Sequence, residues 1–180
     1  MRGLALLAGL GLTIAGLVMM SGPACKRRAA KVETIETTSD GLSTAVHMGN
    51  PNEAIHLVKG FYDIEQGAWR WTRSQFAITL LAPKNAAERG ATLEFKLTLP
   101  EAVFSRTGPV TLSAVIDGYA LPPLTMDKVG NHVYEREIPA SAFRTETATV
   151  EFSLDKFLAS GVVEERELGV IALSAALLAK

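Results

Sequence analysis

Hydrophobic positions fall into three regimes along the chain. From Gly3 to Cys25 no residue is charged, and Leu4 to Met20 is its apolar part. From residue 26 to about residue 52 no apolar period is sustained. Beyond that the period becomes two. Leu93, Phe95, Leu97 and Leu99 alternate with Thr92, Glu94, Lys96 and Thr98. Val110, Leu112, Ala114 and Ile116 alternate with Thr111, Ser113 and Asp117, and Ala148, Val150, Phe152 and Leu154 with Thr149, Glu151 and Ser153. Such alternation predicts strands with one face in a core and the other in water. Phe76, Ile78 and Leu80 predict a further strand ended by Pro83, and Val133 to Ile138 a less regular one. Leu168 to Leu178 is apolar nearly throughout, which predicts a strand buried on both sides. A helix is the alternative there, disfavoured by Gly169 and by the β patterns before it.

Turn signals separate these runs. Asp117-Gly118 predicts a hairpin turn, and Pro122-Pro123 confines the next segment to an edge strand or a loop. Gly130-Asn131 precedes Val133, and Pro100 and Pro139 end two more strands. Lys84 to Arg89 and Asp155 to Ser160 predict short helical turns. The expected fold is all-β: an antiparallel two-sheet sandwich, jelly-roll-like, of seven or eight strands over residues 53–180. A signal peptide or membrane anchor (1–25) and a flexible tether (26–52) precede it.

Arg2 precedes the apolar leader, and Lys26, Arg27, Arg28 and Lys31 follow it. A charged start, an apolar run and small residues at its end are features of an export signal. Ser21-Gly22-Pro23-Ala24-Cys25 resembles the processing site of bacterial lipoproteins, which implies lipid attachment at Cys25. The cations after Cys25 favour a cytoplasmic flank, so an uncleaved single-span helix is a second reading. A secreted protein cut after Ala24 is a third. The first two place the folded part at a cell envelope, membrane-anchored, with the head periplasmic or extracellular.

Composition narrows the function classes. The 180 residues are 48% hydrophobic and 21% charged, which is globular and not disordered. Lys plus Arg number 18 against 19 Asp plus Glu, which lacks the basic footprint of a nucleic-acid binder. One cysteine excludes an intramolecular disulfide and a Cys-built zinc site. His47 reads as solvated in the tether, His56 as solvated or at the core rim, and His132 as a turn residue. No P-loop, Gly-x-Ser-x-Gly, His-Glu-x-x-His or Gly-x-Gly-x-x-Gly is present. Neither a metal nor a cofactor is expected.

The segment from Gly60 to Thr72 holds both tryptophans. If it is extended, Trp69 and Trp71 share one face and Arg70 takes the other. Phe76, Ile78 and Leu80 then lie out of phase with the tryptophans, which predicts a bulge or turn near Thr72 to Ser74. Trp71 is expected in the core, and Trp69 as an exposed aromatic platform for the apolar faces of sugar rings. Tyr62, Tyr119 and Tyr134 could extend that surface, with Trp69, Tyr62 and Tyr119 the ligand-binding candidates. Arg70 and Arg166 are expected in ion pairs that tie the first and last strands together, Glu65 and Glu165 being the nearest carboxylates in sequence.

Gly60, Phe61, Tyr62 and Glu65, then Arg70-Trp71-Thr72, and finally Glu165-Arg166 and Leu168-Gly169 resemble a pattern found in a family of small modules. These are the β-sandwich, carbohydrate-binding-like modules of bacterial glycosyltransferases and envelope polysaccharide proteins. The resemblance implies a β-sandwich, a link to envelope glycans and no enzymatic activity. The resulting expectation is a non-enzymatic, envelope-attached binding or interaction module, for glycans or another envelope protein. The alternatives are a structural subunit of an envelope assembly, or a glycan hydrolase or lyase using Asp63, Glu65 or Glu165.

Overall fold

A computed structural model describes residues 36–37 and 41–180. The leader, Cys25 and the tether up to residue 35 lie outside the described residues.

Nine strands form: β1 (Ala45–His47), β2 (Leu57–Glu65), β3 (Trp69–Leu81), β4 (Ala91–Leu99), β5 (Val110–Ile116), β6 (Tyr119–Met126), β7 (Gly130–Ile138), β8 (Thr147–Leu154) and β9 (Ile171–Ala179). Two short helices, α1 (Ala86–Arg89) and α2 (Glu101–Thr107), and 3₁₀ turns at Pro51–His56 and Ala140–Ala142 connect them. Every strand pairing is antiparallel, in the order β6-β5-β8-β3-β9-β4-β7, with β2 added to β3 and β1 to β9.

β3 divides its length between two partners. Gln75 to Leu81 lie against β8, whereas Arg70 and Trp71 lie against Ala172 and Ile171 of β9. One layer is therefore β6-β5-β8-β3-β2 and the other β1-β9-β4-β7, and they meet where β3 and β9 begin. The inward faces interlock through aromatic rings. Phe152 of β8 stacks on Phe76 of β3 at 4.9 Å and contacts Phe95 of β4 at 4.8 Å and Tyr134 of β7 at 6.3 Å. The alternation read from Leu93 to Leu99, Val110 to Ile116 and Ala148 to Leu154 is the burial pattern of β4, β5 and β8. The final apolar run is strand β9, flanked by β4, β3 and β1.

The outer strands β6 and β7 are stitched without a ladder. Pro122 and Pro123 lack an N–H but offer carbonyls. Arg136 donates from Nε to Pro122 O and from Nη2 to Pro123 O, both at 2.7 Å, and Tyr134 Oη donates to Pro122 O at 2.9 Å. Burial holds the Tyr134 hydroxyl above its ordinary pKa, against the opposing pull of the Arg136 charge.

Four expectations change. First, the folded part begins before residue 53. Ala45–His47 within the expected tether is strand β1, and Ala45, Val46 and Met48 are buried. The strap is short, so periodicity has too few positions to register it. It is held by Leu81 N to Ser43 O (2.9 Å), Leu177 N to Thr44 O (2.8 Å) and Met48 N to Leu173 O (2.9 Å). Second, His56 is neither solvated nor at the rim. The side chain of Asn50 caps the turn that Pro51 opens, so 51–56 coils and delivers the ring into the interior. There Nδ1 lies 2.8 Å from Thr79 O and Nε2 3.2 Å from Ser43 Oγ. Third, Asp155 to Ser160 is not helical. Asp155 Oδ1 accepts from Thr111 N (2.6 Å), Lys156 Nζ donates to Pro109 O (2.8 Å), and Leu158 bridges to Leu168. Those long-range partners replace the local bonds a helix would need. Fourth, Tyr134, considered for a surface, is a core residue.

Candidate functional site

The two short motifs, about 100 residues apart, meet at the junction of the layers. Gly60 has φ +79°, and a Cβ there would lie 2.1 Å from Gln75 O and 2.7 Å from Phe76 Cα. Gly169 is crowded as well, since a Cβ would lie 2.6 Å from Leu154 Cδ1 and 2.8 Å from both Arg73 O and Thr72 Oγ1. Both glycines let a second backbone pass directly against β3. Thr72 is fully buried, and its Oγ1 donates to Val170 O and accepts from Val170 N, each at 3.1 Å. Arg70 is 9% exposed and donates from Nε to Met48 O (3.1 Å) and from Nη1 to Tyr62 O (2.9 Å). It thereby ties the strap, β2 and β3 together through carbonyls, not through the carboxylate expected for it. The reason is position: the inward direction holds backbone, while Glu65 lies at the hairpin tip.

Glu65 is engaged by Arg166 instead, which makes a long-range link between the ends of the folded part. Arg166 donates from Nη1 to Glu65 Oε1 at 2.7 Å, and from Nε to Glu164. Glu164 takes the place expected for Glu165, which is exposed. Hydrogen bonds donated to Glu164 and then to Glu65 push the Arg166 pKa above its ordinary value. The neighbouring Glu167 is held below the usual carboxylate range, chiefly by hydrogen bonding from Ser74, with Arg73 adding to it. Ser74 N donates to Glu167 Oε1 at 2.6 Å.

β3 keeps one phase throughout. Arg70, Thr72, Phe76, Ile78 and Leu80 are all buried even-numbered positions. The expected bulge exists as a slip against β2, between the pairs Lys59↔Ala77 and Phe61↔Thr72. It does not turn the inward face over. The two indoles consequently occupy the outer face, half-buried, edge to face at 6.1 Å and 82°. Trp71 packs against the rim of the core and not within it. Arg73 and Arg166 lie over the Tyr62 ring, 5.4 and 5.1 Å from its centroid. Tyr62 is thus occupied by the protein's own cations, and Trp69 is only partly open.

Tyr119 stands apart from both. It closes the two-residue hairpin Asp117-Gly118, whose residues have φ 44° and 87°. Ile116 pairs with Val150, and Val150 with Ile78, which puts this hairpin beside the far end of β3. About ten residues of strand, roughly 30 Å, separate it from Trp69. Sequence reasoning had grouped residues that the topology places at opposite ends.

Tyr119 is 44% exposed and borders a concavity of about 330 Å³ with Asp117, Ser141 and Arg144. Arg144 also lines a larger neighbouring groove of about 560 Å³. The groove floor is apolar, from Leu81, Ala86 and Phe143, and its rim carries Lys84, Glu88 and Glu146. It is built by α1 packing on the 3₁₀ turn 140–142, a contact that needs Gly90, where a Cβ would lie 2.2 Å from Ile138 O. Among the described residues, no ion pair engages Lys84, Glu88, Arg144 or Glu146. Sequence reading missed this groove because its walls are short loops without periodicity.

No family model matches the chain, and no curated protein is significantly similar to it. Two solved structures share parts of its layout. One is the carbohydrate-binding module CBM36 in complex with calcium and xylotriose, at TM-score 0.41 and 10% identity over 74% of this chain and 98% of that one. The other is the CBM36-1 domain of a multidomain xylanase from the hindgut metagenome of Trinervitermes trinervoides. It gives TM-score 0.39 and 11% identity over 76% and 97%. Likeness at this level leaves function to be argued from this chain's own residues.

The carboxylates considered for hydrolysis do not gather. Glu65 is taken by Arg166, and the concavity beside Asp63 includes neither Glu65 nor Glu165. Among the described residues no cluster of three His, Cys, Asp or Glu side chains is arranged to hold a metal, and no helix is long and apolar enough to cross a membrane.

Proposed function

We propose that the protein is a non-enzymatic glycan-binding module, held at a bacterial cell envelope through its N-terminal region, with its ligand seated at the Tyr119 end. The observation that carries this reading is Tyr119 itself: an exposed ring on the rim of a concavity lined by hydrogen-bonding groups. Sugar rings present C–H faces to such a ring, while their hydroxyls both donate and accept. Arg144 and Lys84 supply donors only, and Glu88 and Glu146 acceptors only. A polyol is the ligand class that satisfies both kinds at once. An apolar floor with a few polar groups is also the usual make-up of a small-molecule site.

Testing this takes a glycan array on the full-length protein and two variants. Tyr119→Ala is expected to weaken the signal by about tenfold, and Trp69→Ala to leave it. An array without any signal, or one lost on Trp69→Ala alone, overturns the reading. Envelope attachment is tested separately by intact-mass analysis of the native protein and by Cys25→Ser. Acylation at Cys25 and release of the serine variant support the lipoprotein form, whereas a full-length mass with retained membrane association supports the helical anchor. An unacylated soluble product cut after Ala24 removes the attachment altogether.

A further inference from the structure

The two concavities at the Tyr119 end are neighbours, and Arg144 is the residue lining both. They differ in chemistry. The smaller has the exposed Tyr119 ring with Ser141 and Asp117 beside it. The larger has an aliphatic floor from Leu81 and Ala86, with Phe143 adjoining, and charged groups on its rim. Asp117 is anchored, since Thr149 N donates to its Oδ1 at 3.2 Å, so that wall is held by β8. On the other side, α1 is fixed by its packing on the 140–142 turn. Arg144 stands between two braced walls as an exposed side chain, and among the described residues nothing holds its guanidinium.

We infer that these are two subsites of one extended site, so that the ligand is an oligosaccharide lying across Arg144 and not a single terminal sugar; this rests on the glycan reading above. Each concavity alone is at or below the middle of the range typical of small-molecule sites, roughly 300–1,000 Å³. Ligand units in adjacent subsites are already tethered to one another. The second contact is therefore made at high effective concentration, and affinity rises with chain length until both subsites are filled. Arg144 presents a planar fork of donors to hydroxyls on either side. Its loss removes contacts in both subsites, while loss of a rim group of the larger groove weakens only oligomers long enough to reach it.

The experiment is titration calorimetry on the full-length protein with β-linked glucose, xylose and N-acetylglucosamine series, each from the monosaccharide to the hexamer. The expected result is that one series gains about tenfold or more in affinity along its length and then reaches a plateau. Tyr119→Ala should weaken short and long oligomers by the same factor. Arg144→Ala should weaken short and long oligomers, the long ones more, and Lys84→Ala should weaken only the long. Circular dichroism on each variant checks that the fold persists; these side chains are exposed, so all three are expected to fold. A monosaccharide that binds as tightly as the hexamer overturns the two-subsite arrangement and leaves the glycan reading intact. A length effect left unchanged by both Arg144→Ala and Lys84→Ala also overturns it. Absence of binding in every series, on the array as well, overturns the glycan reading itself.

Discussion

The two ends of β3 carry the same kinds of residue in different states. At the Trp69 end, Arg70 is spent on Met48 O and Tyr62 O, Arg166 on Glu65 and Glu164, and the Tyr62 ring on two guanidinium groups. At the Tyr119 end, the ring is open, and Arg144, Lys84, Glu88 and Glu146 face a groove without ion-pair partners among the described residues. Polar groups already satisfied within the protein have little left for a ligand. Polar groups lining a concavity without partners have most of it. The lesson is that an aromatic-rich, arginine-rich motif marks the lock of this sandwich, and the plainer end offers the groups available for the proposed site.

The largest effect that sharpens this contrast comes from two glycines. Both Gly60 and Gly118 have positive φ, but only Gly60 is crowded: nothing lies within 4 Å of a Cβ at Gly118. Gly60→Ala should cost about 3 kcal/mol or more, because backbone at Gln75 and Phe76 would have to move. Gly118→Ala should cost only about 1 kcal/mol, from its backbone conformation alone. Chemical denaturation of the two variants checks this, and equal losses would break the contrast. Next comes Arg70→Leu. It leaves the buried carbonyl of Met48 and the part-buried carbonyl of Tyr62 without this donor, so a loss of about 2–4 kcal/mol is expected in the same assay. A loss below about 0.5 kcal/mol would show that Arg70 does not lock the strap.

Tyr119→Ala should change stability by less than about 0.5 kcal/mol while reducing glycan affinity by about tenfold, or roughly 1.4 kcal/mol. The Glu65–Arg166 pair is partly exposed, with side chains 34% and 35% accessible, so a double-mutant cycle should give no more than about 1 kcal/mol. The smallest effect concerns pH. Because Glu167 titrates below its ordinary range in the folded state, its hydrogen bonds with Ser74 stabilise the fold above the unfolded carboxylate value of about 4.3. That contribution is lost as pH falls from there through the lower folded value. Glu167→Gln should therefore narrow the difference in denaturation midpoint between neutral and acidic buffer, and an unchanged difference would count against the role.

The antiparallel sandwich was legible because β4, β5 and β8 each bury every second residue over seven or more positions, long enough for a period to register. The Asp117-Gly118 hairpin was legible because its two positive φ values call for such residues. The strap at Ala45–His47 was hidden by its length, and His56 by a turn whose signal, Asn50-Pro51, lies several residues before the ring it buries. In β3 the sequence misled for a physical reason. Trp71 looks like a core residue, but the inward positions are Arg70 and Thr72, whose hydrogen bonds are made to residues distant in the chain.

By itself, the sequence determined the class of fold, most of the strands, the β5–β6 turn and the engagement of Glu65 and Arg166 in ion pairs, but not that they pair with each other. Those follow from local periodicity, from turn chemistry and from complementary charge. Only the tertiary structure decided which of the aromatics and arginines are free. A side chain's availability depends on the carbonyls, rings and charges that other strands bring to it. For Arg70, Tyr62 and Arg166 that neighbourhood is full, and for Tyr119 and Arg144 it opens onto a groove.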